Sequence, residues 1–198
     1  MSLRAIAMMF ALGAICLTLL DSIHVHTHTL AYAHPVAFGS AWWVALLMGC
    51  ATAGGGLGYV LGWSRLGGPT AIPTRAALAR GALVFAAVYA GSGLLPVSAV
   101  MKLILITLGA AVIFFDLDGT WRGATLILIG AVAGTIAEAI NPGFHYFEPD
   151  AFGVPMWLPA LYACATPVVG QLARRLAHEH SPAAEVVGGR LGLARAPD

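Results

Sequence analysis

Long apolar runs alternate with short polar stretches along this chain of 198 residues. The runs long enough for a membrane-spanning helix cover about 4–23, 40–63, 81–95, 98–115, 123–140 and 153–173. A hydrocarbon core about 30 Å thick needs about 20 apolar residues per helix. The pattern therefore predicts an all-α integral membrane protein with six transmembrane helices. The third run is short, and we expect it to tilt little or to thin the bilayer locally.

The polar residues form short connections and a C-terminal tail. Residues 24–29, which contain alternate histidines, are predicted to lie in water between the first two helices. Pro96 separates the third and fourth helices, and Pro142 ends the fifth. Residues 178–198 are polar and rich in Gly and Pro, which predicts a disordered cytoplasmic tail. We therefore expect one transmembrane domain over 1–177, followed by that tail.

Charge supports the membrane class and sets a predicted orientation. Charged residues make up 10% of the chain, against roughly a quarter in a soluble domain. Of the 10 Lys and Arg residues, only Lys102 falls on the side opposite the N-terminus. Since positive charge is retained in the cytoplasm, both termini are predicted to be cytoplasmic. The scattered charge gives no reason to expect nucleic acid, and the Arg-rich, Ala-rich composition indicates a bacterial inner membrane.

Three local patterns have alternative interpretations. Residues 31–33 fit a signal-peptidase site, but the gap from the apolar run is too long, so we expect the first helix to be retained. Residues 112–120 resemble the first motif of haloacid dehalogenase-type phosphatases, which places an aspartate after a buried strand. Here the preceding run is a spanning helix, so no catalytic residue is expected. The alternate histidines could bind a metal from an extended loop, although solvated loop residues are the more common case: His24, His26, His28 and His34.

Three ionisable residues are predicted at similar depth in the membrane: Asp21, Lys102 and Glu138. Charges there are unfavourable unless they are paired or hydrated. One interpretation is an ion pair of Lys102 with Glu138 or Asp21 that holds helices together. Another is the polar mouth of an apolar cavity for an amphipathic lipid, to which Tyr89, Ser92 and Asn141 would contribute. The alternative function is a small transporter or channel, possibly for metal ions, with the three charges along its path.

Small residues recur at a spacing of four on two helices: Gly54, Gly58 and Gly62 on the second, and Gly130 and Gly134 on the fifth. This spacing lets helix backbones approach closely. We expect packing within the protein, with a homo-oligomer as the alternative. Cys16, Cys50 and Cys164 lie inside apolar runs, so no disulfide framework is predicted.

Several segments agree in order with one family of membrane proteins. They are Ser40-Ala41-Trp42-Trp43-Val44, Leu66-Gly67-Gly68-Pro69 after Tyr59, Val84-Phe85, Phe115-Asp116, Pro149-Asp150, Trp157-Leu158-Pro159 and Gly170-Gln171-Leu172-Ala173. This pattern, from about 40 to 177, resembles the Insig family, endoplasmic reticulum proteins of sterol regulation. The resemblance implies six spans, cytoplasmic termini and a protein that is not an enzyme and needs no cofactor.

The resemblance also implies roles for particular residues. Phe85 would line a sterol or lipid site, Glu138 falls where the family has a Gln beside that site, and Asp116 would hold the partner protein Scap. After Asp116 the family has a basic stretch that this chain lacks, so an unknown membrane protein is expected as partner in place of Scap. The ligand is expected to be diacylglycerol-like or sterol-like, and diacylglycerol is the better fit because most bacteria make no sterol. The complete predicted lipid site is Phe85, Tyr89, Ser92, Lys102, Glu138 and Asn141.

Overall fold

The computed structural model describes residues 1–180 and consists mainly of six long helices. These are α1 (Leu3–His26), α2 (Val44–Arg65), α3 (Arg75–Leu94), α4 (Ala99–Leu117), α5 (Trp121–Ala139) and α6 (Leu158–Glu179). One π-helical turn, Gly13–Leu17, interrupts α1. Strands β1 (Leu30–Tyr32) and β2 (Phe144–Tyr146) form an antiparallel ribbon, and a 3₁₀ turn covers Ala151–Gly153. The predicted all-α class with six helices is confirmed; the short ribbon is an addition to it.

Helix α6 occupies the centre of the bundle. It packs against each of the other five helices, and around it α5 packs on α2, α2 on α1, α1 on α3 and α3 on α4. By length and composition α1 to α5 can each cross a membrane. Helix α6 is less apolar because buried polar side chains, Gln171 and Arg174, lie on it. Large apolar side chains such as Leu108 and Leu128 are exposed on α4 and α5, as expected of helices that face lipid.

The helix ends gather on two sides of the bundle. We call the side of the N-terminus proximal; it holds the connections 66–74 and 118–120 and the end of α6, since Arg122 donates to the Leu66 carbonyl and Arg175 to the Pro73 carbonyl. The opposite, distal side holds the connections 27–43, 95–98 and 140–157, where β1 pairs with β2 in the register Leu30 with Tyr146. Every arginine within 1–180 lies towards the proximal side, whereas Lys102 lies on the distal side.

The predicted bounds of two helices are wrong. Helix α3 begins at Arg75, after the Thr74 hydroxyl caps it, and has 20 residues, so the third span is not short. Arg75 and Arg80 lie within α3, where Arg80 pairs with Asp116 on α4 at the exposed end of the helix. Helix α6 starts at Leu158 instead of 153 and continues to Glu179 instead of ending near 173. Beyond residue 180, the predicted disordered tail lies outside the described residues.

Close helix packing explains three of the five spaced glycines. A Cβ at Gly62 would lie 2.6 Å from Leu126, one at Gly130 2.3 Å from Thr166, and one at Gly134 2.2 Å from Tyr162. Nothing lies within 4 Å of the Cβ position of Gly54 or Gly58. Packing inside the chain therefore accounts for Gly62, Gly130 and Gly134. Gly54 and Gly58 lie on an open face of α2.

An arginine ties the proximal connection to α6. Arg174 is 9% exposed, and its Nη2 donates to the carbonyls of Pro69 at 2.7 Å and Ala71 at 2.9 Å, while Nη1 donates to Gln171 at 2.8 Å. Its guanidinium carbon also lies 4.1 Å from the ring centroid of Trp63. A single side chain thus satisfies several backbone and side-chain acceptors at the membrane boundary.

Candidate functional site

Two carboxylates are buried in the distal half of the bundle. Asp21 on α1 is 2% exposed and Glu138 on α5 is 9% exposed. Asp21 accepts hydrogen bonds from Tyr32, at 2.6 Å, and from Tyr89, at 3.2 Å. Glu138 accepts from Tyr162, at 2.5 Å, and from Tyr146. Each carboxylate is thus held by two phenols and by no cation within residues 1–180.

The distal ribbon supplies one phenol to each carboxylate. Tyr32 belongs to β1 and Tyr146 to β2, and antiparallel pairing places both over the ends of α1 and α5. Burial first, and then the neighbouring carboxylates, hold the pKa of Tyr32 and of Tyr146 well above the usual range of a phenol. Both therefore keep their hydrogens and act as donors. The ribbon is stabilised by Trp43, whose ring packs edge-on against Tyr32 and Phe144 at 5.5 and 5.7 Å.

His24 connects this cluster to α3. Its ring stacks on Tyr89 with a centroid separation of 4.6 Å, and its Nε2 lies 2.8 Å from the Ser92 hydroxyl. Ser92 gives its one hydrogen to the Tyr89 carbonyl at 2.7 Å. His24 Nε2 must therefore carry the hydrogen in the bond to Ser92. The prediction that His24 lies in water is wrong, because α1 continues past it to His26 and His24 is 2% exposed.

A small pocket is lined both by members of the carboxylate cluster and by apolar core residues. Its lining consists of Leu17, His24, Met48, Phe85, Tyr89, Glu138, Tyr146, Leu158, Leu161, Tyr162 and Ala165. Its volume is about 50 Å³, which is far below the roughly 300–1,000 Å³ of pockets that hold small ligands. The pocket has one polar end, formed by the carboxylate and phenols, and apolar walls. We call it the central pocket.

The structure brings only part of the predicted lipid site to the central pocket. Phe85, Tyr89 and Glu138 line it, and Ser92 lies behind His24. Asn141 instead accepts a hydrogen bond from the Gly143 backbone at 2.9 Å and thereby stabilises the turn after α5. Lys102 lines a different pocket on the distal surface. The predicted ion pair of Lys102 with Glu138 or Asp21 does not form; the phenols satisfy the carboxylates instead.

Sequence reasoning missed four members of the cluster: His24 as a buried group, Tyr32, Tyr146 and Tyr162. No local motif marks them, since they come from α1, both strands of the ribbon and α6. One signal could have pointed to these donors: the sequence has two intramembrane acids and only one intramembrane lysine. At least one acid therefore had to be satisfied by neutral hydrogen-bond donors.

The histidines do not gather into a metal site. His26 and His28 are exposed and His34 lies farther along the exposed connection, apart from buried His24. Within residues 1–180 no three His, Cys, Asp or Glu side chains come together as metal ligands. The metal-transport interpretation therefore has no site in the part of the chain that the structure describes.

Asp116 lies on the proximal side, far along α4 from the distal cluster. Arg80 donates to both of its oxygens, at 2.7 and 3.2 Å, and the Asp116 side chain remains 31% exposed. The neighbouring Phe115 is 74% exposed. Residues 99–117 form a helix, so Asp116 lacks the strand that a phosphatase nucleophile of this motif requires.

Comparison with known proteins identifies relatives of this arrangement. No family model matches the chain. Insulin-induced gene 1 protein of Danio rerio is 28% identical over 178 residues, which cover 85% of this chain and 70% of that protein. The protein of the same name in Bos taurus is 29% identical over 178 residues, covering 85% of this chain and 64% of that protein. The crystal structure of MvINS, an Insig homologue from Mycobacterium vanbaalenii, matches with a TM-score of 0.79 and 22% identity over 91% of this chain and 97% of that chain.

The chain is a homologue of the Insig proteins. The Insig resemblance seen in the sequence is confirmed, and so is the prediction of a multi-pass integral membrane protein. A cross-linked form of MvINS has been crystallised as a trimer.

The Insig-like segments have structural explanations in this homologue. The Leu66-Gly67-Gly68-Pro69 turn has Gly67 at a φ of +64°, a left-handed conformation that favours glycine. A Cβ at Gly68 would lie 2.2 Å from the indole nitrogen of Trp63. The Trp63 ring therefore leaves no room for a side chain at position 68 in this conformation.

Proposed function

We propose that this Insig homologue is a non-enzymatic membrane protein that binds a neutral, hydroxyl-bearing lipid in the central pocket. The lipid is of the diacylglycerol or sterol class, and its binding regulates a membrane partner. The observation that carries the proposal is the hydrogen-bonding character of the pocket's polar end, which lacks free donors.

Each hydroxyl hydrogen at the polar end is already used. Tyr89 gives its hydrogen to Asp21, while Tyr146 and Tyr162 give theirs to Glu138. The Ser92 hydrogen goes to a backbone carbonyl, and the His24 Nε2 hydrogen goes to Ser92. What remains at the polar end are lone pairs of the carboxylate and phenol oxygens.

Such an end selects a ligand that donates. An alcohol group can give its hydrogen to Glu138 or to a phenol oxygen, whereas a phosphate or a fatty-acid carboxylate would bring a second negative charge beside buried carboxylates. A diglyceride or a sterol each carries such a hydroxyl on an apolar body. Phe85, Leu158 and Leu161 supply apolar walls for that body.

The closed volume of about 50 Å³ means that lining side chains must move when a lipid enters. Met48 is a flexible side chain, and Leu17 ends the π-helical turn of α1, a type of irregularity that is frequent at functional sites. Two flexible acyl chains can spread between helices as these side chains move. A rigid sterol needs one continuous opening, so diacylglycerol is the favoured ligand.

Lipid exchange on the purified protein tests this proposal. We expect native mass spectrometry to show retained diacylglycerol, and no comparable retention of phosphatidic acid with the same acyl chains. Phe85→Trp should abolish retention by filling the pocket. Leu83→Trp is the matched control on the same helix, because Leu83 is 70% exposed. Equal retention of both lipids, or of diacylglycerol by Phe85→Trp and the parent protein, would contradict the proposal.

We infer that Asp116 and the exposed Phe115 beside it form the surface for a membrane partner, as in the family role of this position. The Asp116 ion pair is exposed, so Asp116→Ala should change the free energy of unfolding by only about 0–1 kcal/mol. Proximity labelling followed by co-purification should show loss of the partner. Arg80→Ala removes the same ion pair but leaves the carboxylate, and should keep the partner. Loss in both variants would mean that the ion pair, and not Asp116, matters.

The arrangement of copies and the orientation follow from two further observations. We propose a homo-oligomer, as in cross-linked MvINS, in which the open face of α2 at Gly54 and Gly58 packs against another copy. We propose cytoplasmic termini in a bacterial inner membrane, because the arginines within 1–180 lie on the proximal side.

A further inference from the structure

A second, larger pocket opens on the distal surface. Its volume is about 480 Å³, and it shares no lining residue with the central pocket. The residues that matter in its lining are Thr27, Thr29, Leu94, Lys102 and Glu148. The volume lies within the roughly 300–1,000 Å³ of ligand sites. We call it the distal pocket.

Lys102 is in an unfavourable position unless an anion joins it. It is half-buried in the first turn of α4, where the positive end of the helix dipole disfavours a cation. The ion pairs formed among residues 1–180 do not include it. It is also the one lysine or arginine on the distal side within those residues. The retention of positive charge on the proximal side therefore does not explain its position. The lysine therefore lacks a structural partner in the part of the chain described.

Glu148 adds a charge of the opposite sign to the same pocket. It is exposed, lines the pocket and likewise takes part in none of the ion pairs among residues 1–180. Two opposite charges that line one cavity without pairing are complementary to a molecule that carries both signs. The Thr27 hydroxyl gives its hydrogen to the Ile23 carbonyl at 2.8 Å, so in its 3.1 Å contact with Thr29 it accepts, and the Thr29 oxygen remains an acceptor at the rim.

The depth of the distal pocket matches that of lipid headgroups. It lies where α3 ends at Leu94 and α4 begins at Ala99, at the boundary of two membrane-spanning helices. Apolar side chains at this edge are exposed: Leu94 is 61% exposed and Val100 is 55% exposed. A headgroup in the pocket would therefore place its acyl chains against an apolar surface.

We propose that the distal pocket binds the headgroup of an aminophospholipid, with its phosphate at Lys102 and its primary ammonium at Glu148. A primary ammonium donates to the carboxylate and to hydroxyl oxygens, which a trimethylammonium cannot do. The site is distinct from the central pocket, whose carboxylates disfavour phosphate. Binding of diacylglycerol in the central pocket and binding of a phospholipid in the distal pocket can therefore be lost independently.

Lipid binding to the full chain in detergent, measured by native mass spectrometry, tests the assignment. The probes are phosphatidylethanolamine, phosphatidylcholine and phosphatidylglycerol with the same acyl chains. We expect phosphatidylethanolamine to bind best. Lys102→Gln should weaken it roughly tenfold, the loss typical of one charge-assisted hydrogen bond, and Glu148→Gln should abolish the preference over phosphatidylglycerol. Arg65→Gln, an exposed proximal change that removes one positive charge, should have no effect.

Two further measurements keep the interpretation specific. Retention of diacylglycerol by Lys102→Gln should equal that of the parent protein, which separates this site from the central pocket and shows that the variant is folded. Inorganic phosphate at millimolar concentration should not displace phosphatidylethanolamine. Displacement by phosphate would overturn the lipid as the ligand. Equal binding of the three phospholipids, unchanged affinity in Lys102→Gln, or an unchanged preference in Glu148→Gln would overturn the site itself.

Discussion

Replacing Glu138 with Gln is expected to lower the thermal stability and to remove the lipid together. Tyr146 and Tyr162 both donate to Glu138. An amide has one oxygen and one NH₂ group, so after the substitution one of these two phenols would face another donor. Loss of a charge-assisted hydrogen bond in a buried site costs about 1.5–3 kcal/mol. For a chain of this size that corresponds to a fall of roughly 5–10 °C in the midpoint of thermal unfolding. Tryptophan fluorescence during a thermal scan in detergent measures the stability, and mass spectrometry measures retained diacylglycerol.

Two further variants show whether the destabilisation by Glu138→Gln comes from its contact with the phenols or from the loss of a negative charge. Glu148→Gln changes an exposed acid on the same side of the bundle, and should alter stability by no more than about 0.5 kcal/mol. Tyr146→Phe removes the donor that opposes the new NH₂ group, so it should destabilise the Glu138→Gln protein less than it destabilises the parent. Strictly additive effects of Glu138→Gln and Tyr146→Phe would show that the two side chains do not act on each other.

The sequence predicts α1 to α5 well, because an apolar run of about 20 residues is long enough to cross a bilayer. Its errors come from charges that hydrogen bonding satisfies. The third apolar run begins after Arg80, yet α3 extends back to Arg75, and Arg80 pairs with Asp116. Arg174 and Gln171 make α6 the least apolar helix, although it is the central one. Hydropathy measures each residue against lipid or water, whereas these side chains face protein.

The candidate site was predicted in part for a related reason. Phe85, Tyr89 and Glu138 were found because an intramembrane acid and a family motif mark their positions. Lys102 was assigned to the same site on charge alone, as the obvious counter-ion. A phenol, however, satisfies a buried carboxylate without introducing a second charge that must be desolvated. Such donors come from distant segments, and a three-residue ribbon that carries two of them leaves no periodic signal in the sequence.

The second large effect is expected at Arg174. Arg174→Lys keeps the charge but loses the planar fork that reaches the Pro69 and Ala71 carbonyls and the Gln171 side chain. Pro69 and Ala71 are exposed residues, whereas the Gln171 side chain is fully buried, so a lysine that reaches the two backbone carbonyls leaves the Gln171 oxygen without its donor. The guanidinium also no longer covers Trp63. We expect a loss of about 2–4 kcal/mol in the free energy of unfolding. Thermal scans read from tryptophan fluorescence and from monodispersity on size exclusion check this result.

Arg175→Lys is the matched control, one residue along the same helix. Arg175 also donates to a carbonyl of the proximal connection, Pro73, at 2.9 Å, but its side chain is 23% exposed and a lysine there can still reach Glu179 or water. Its loss should stay below about 1 kcal/mol. If both substitutions destabilise the protein equally, neither the burial of Arg174 nor its second carbonyl contact matters. If Arg174→Lys alone is damaging, the connection is held by the one arginine that water cannot replace, and the proximal end of α6 depends on it.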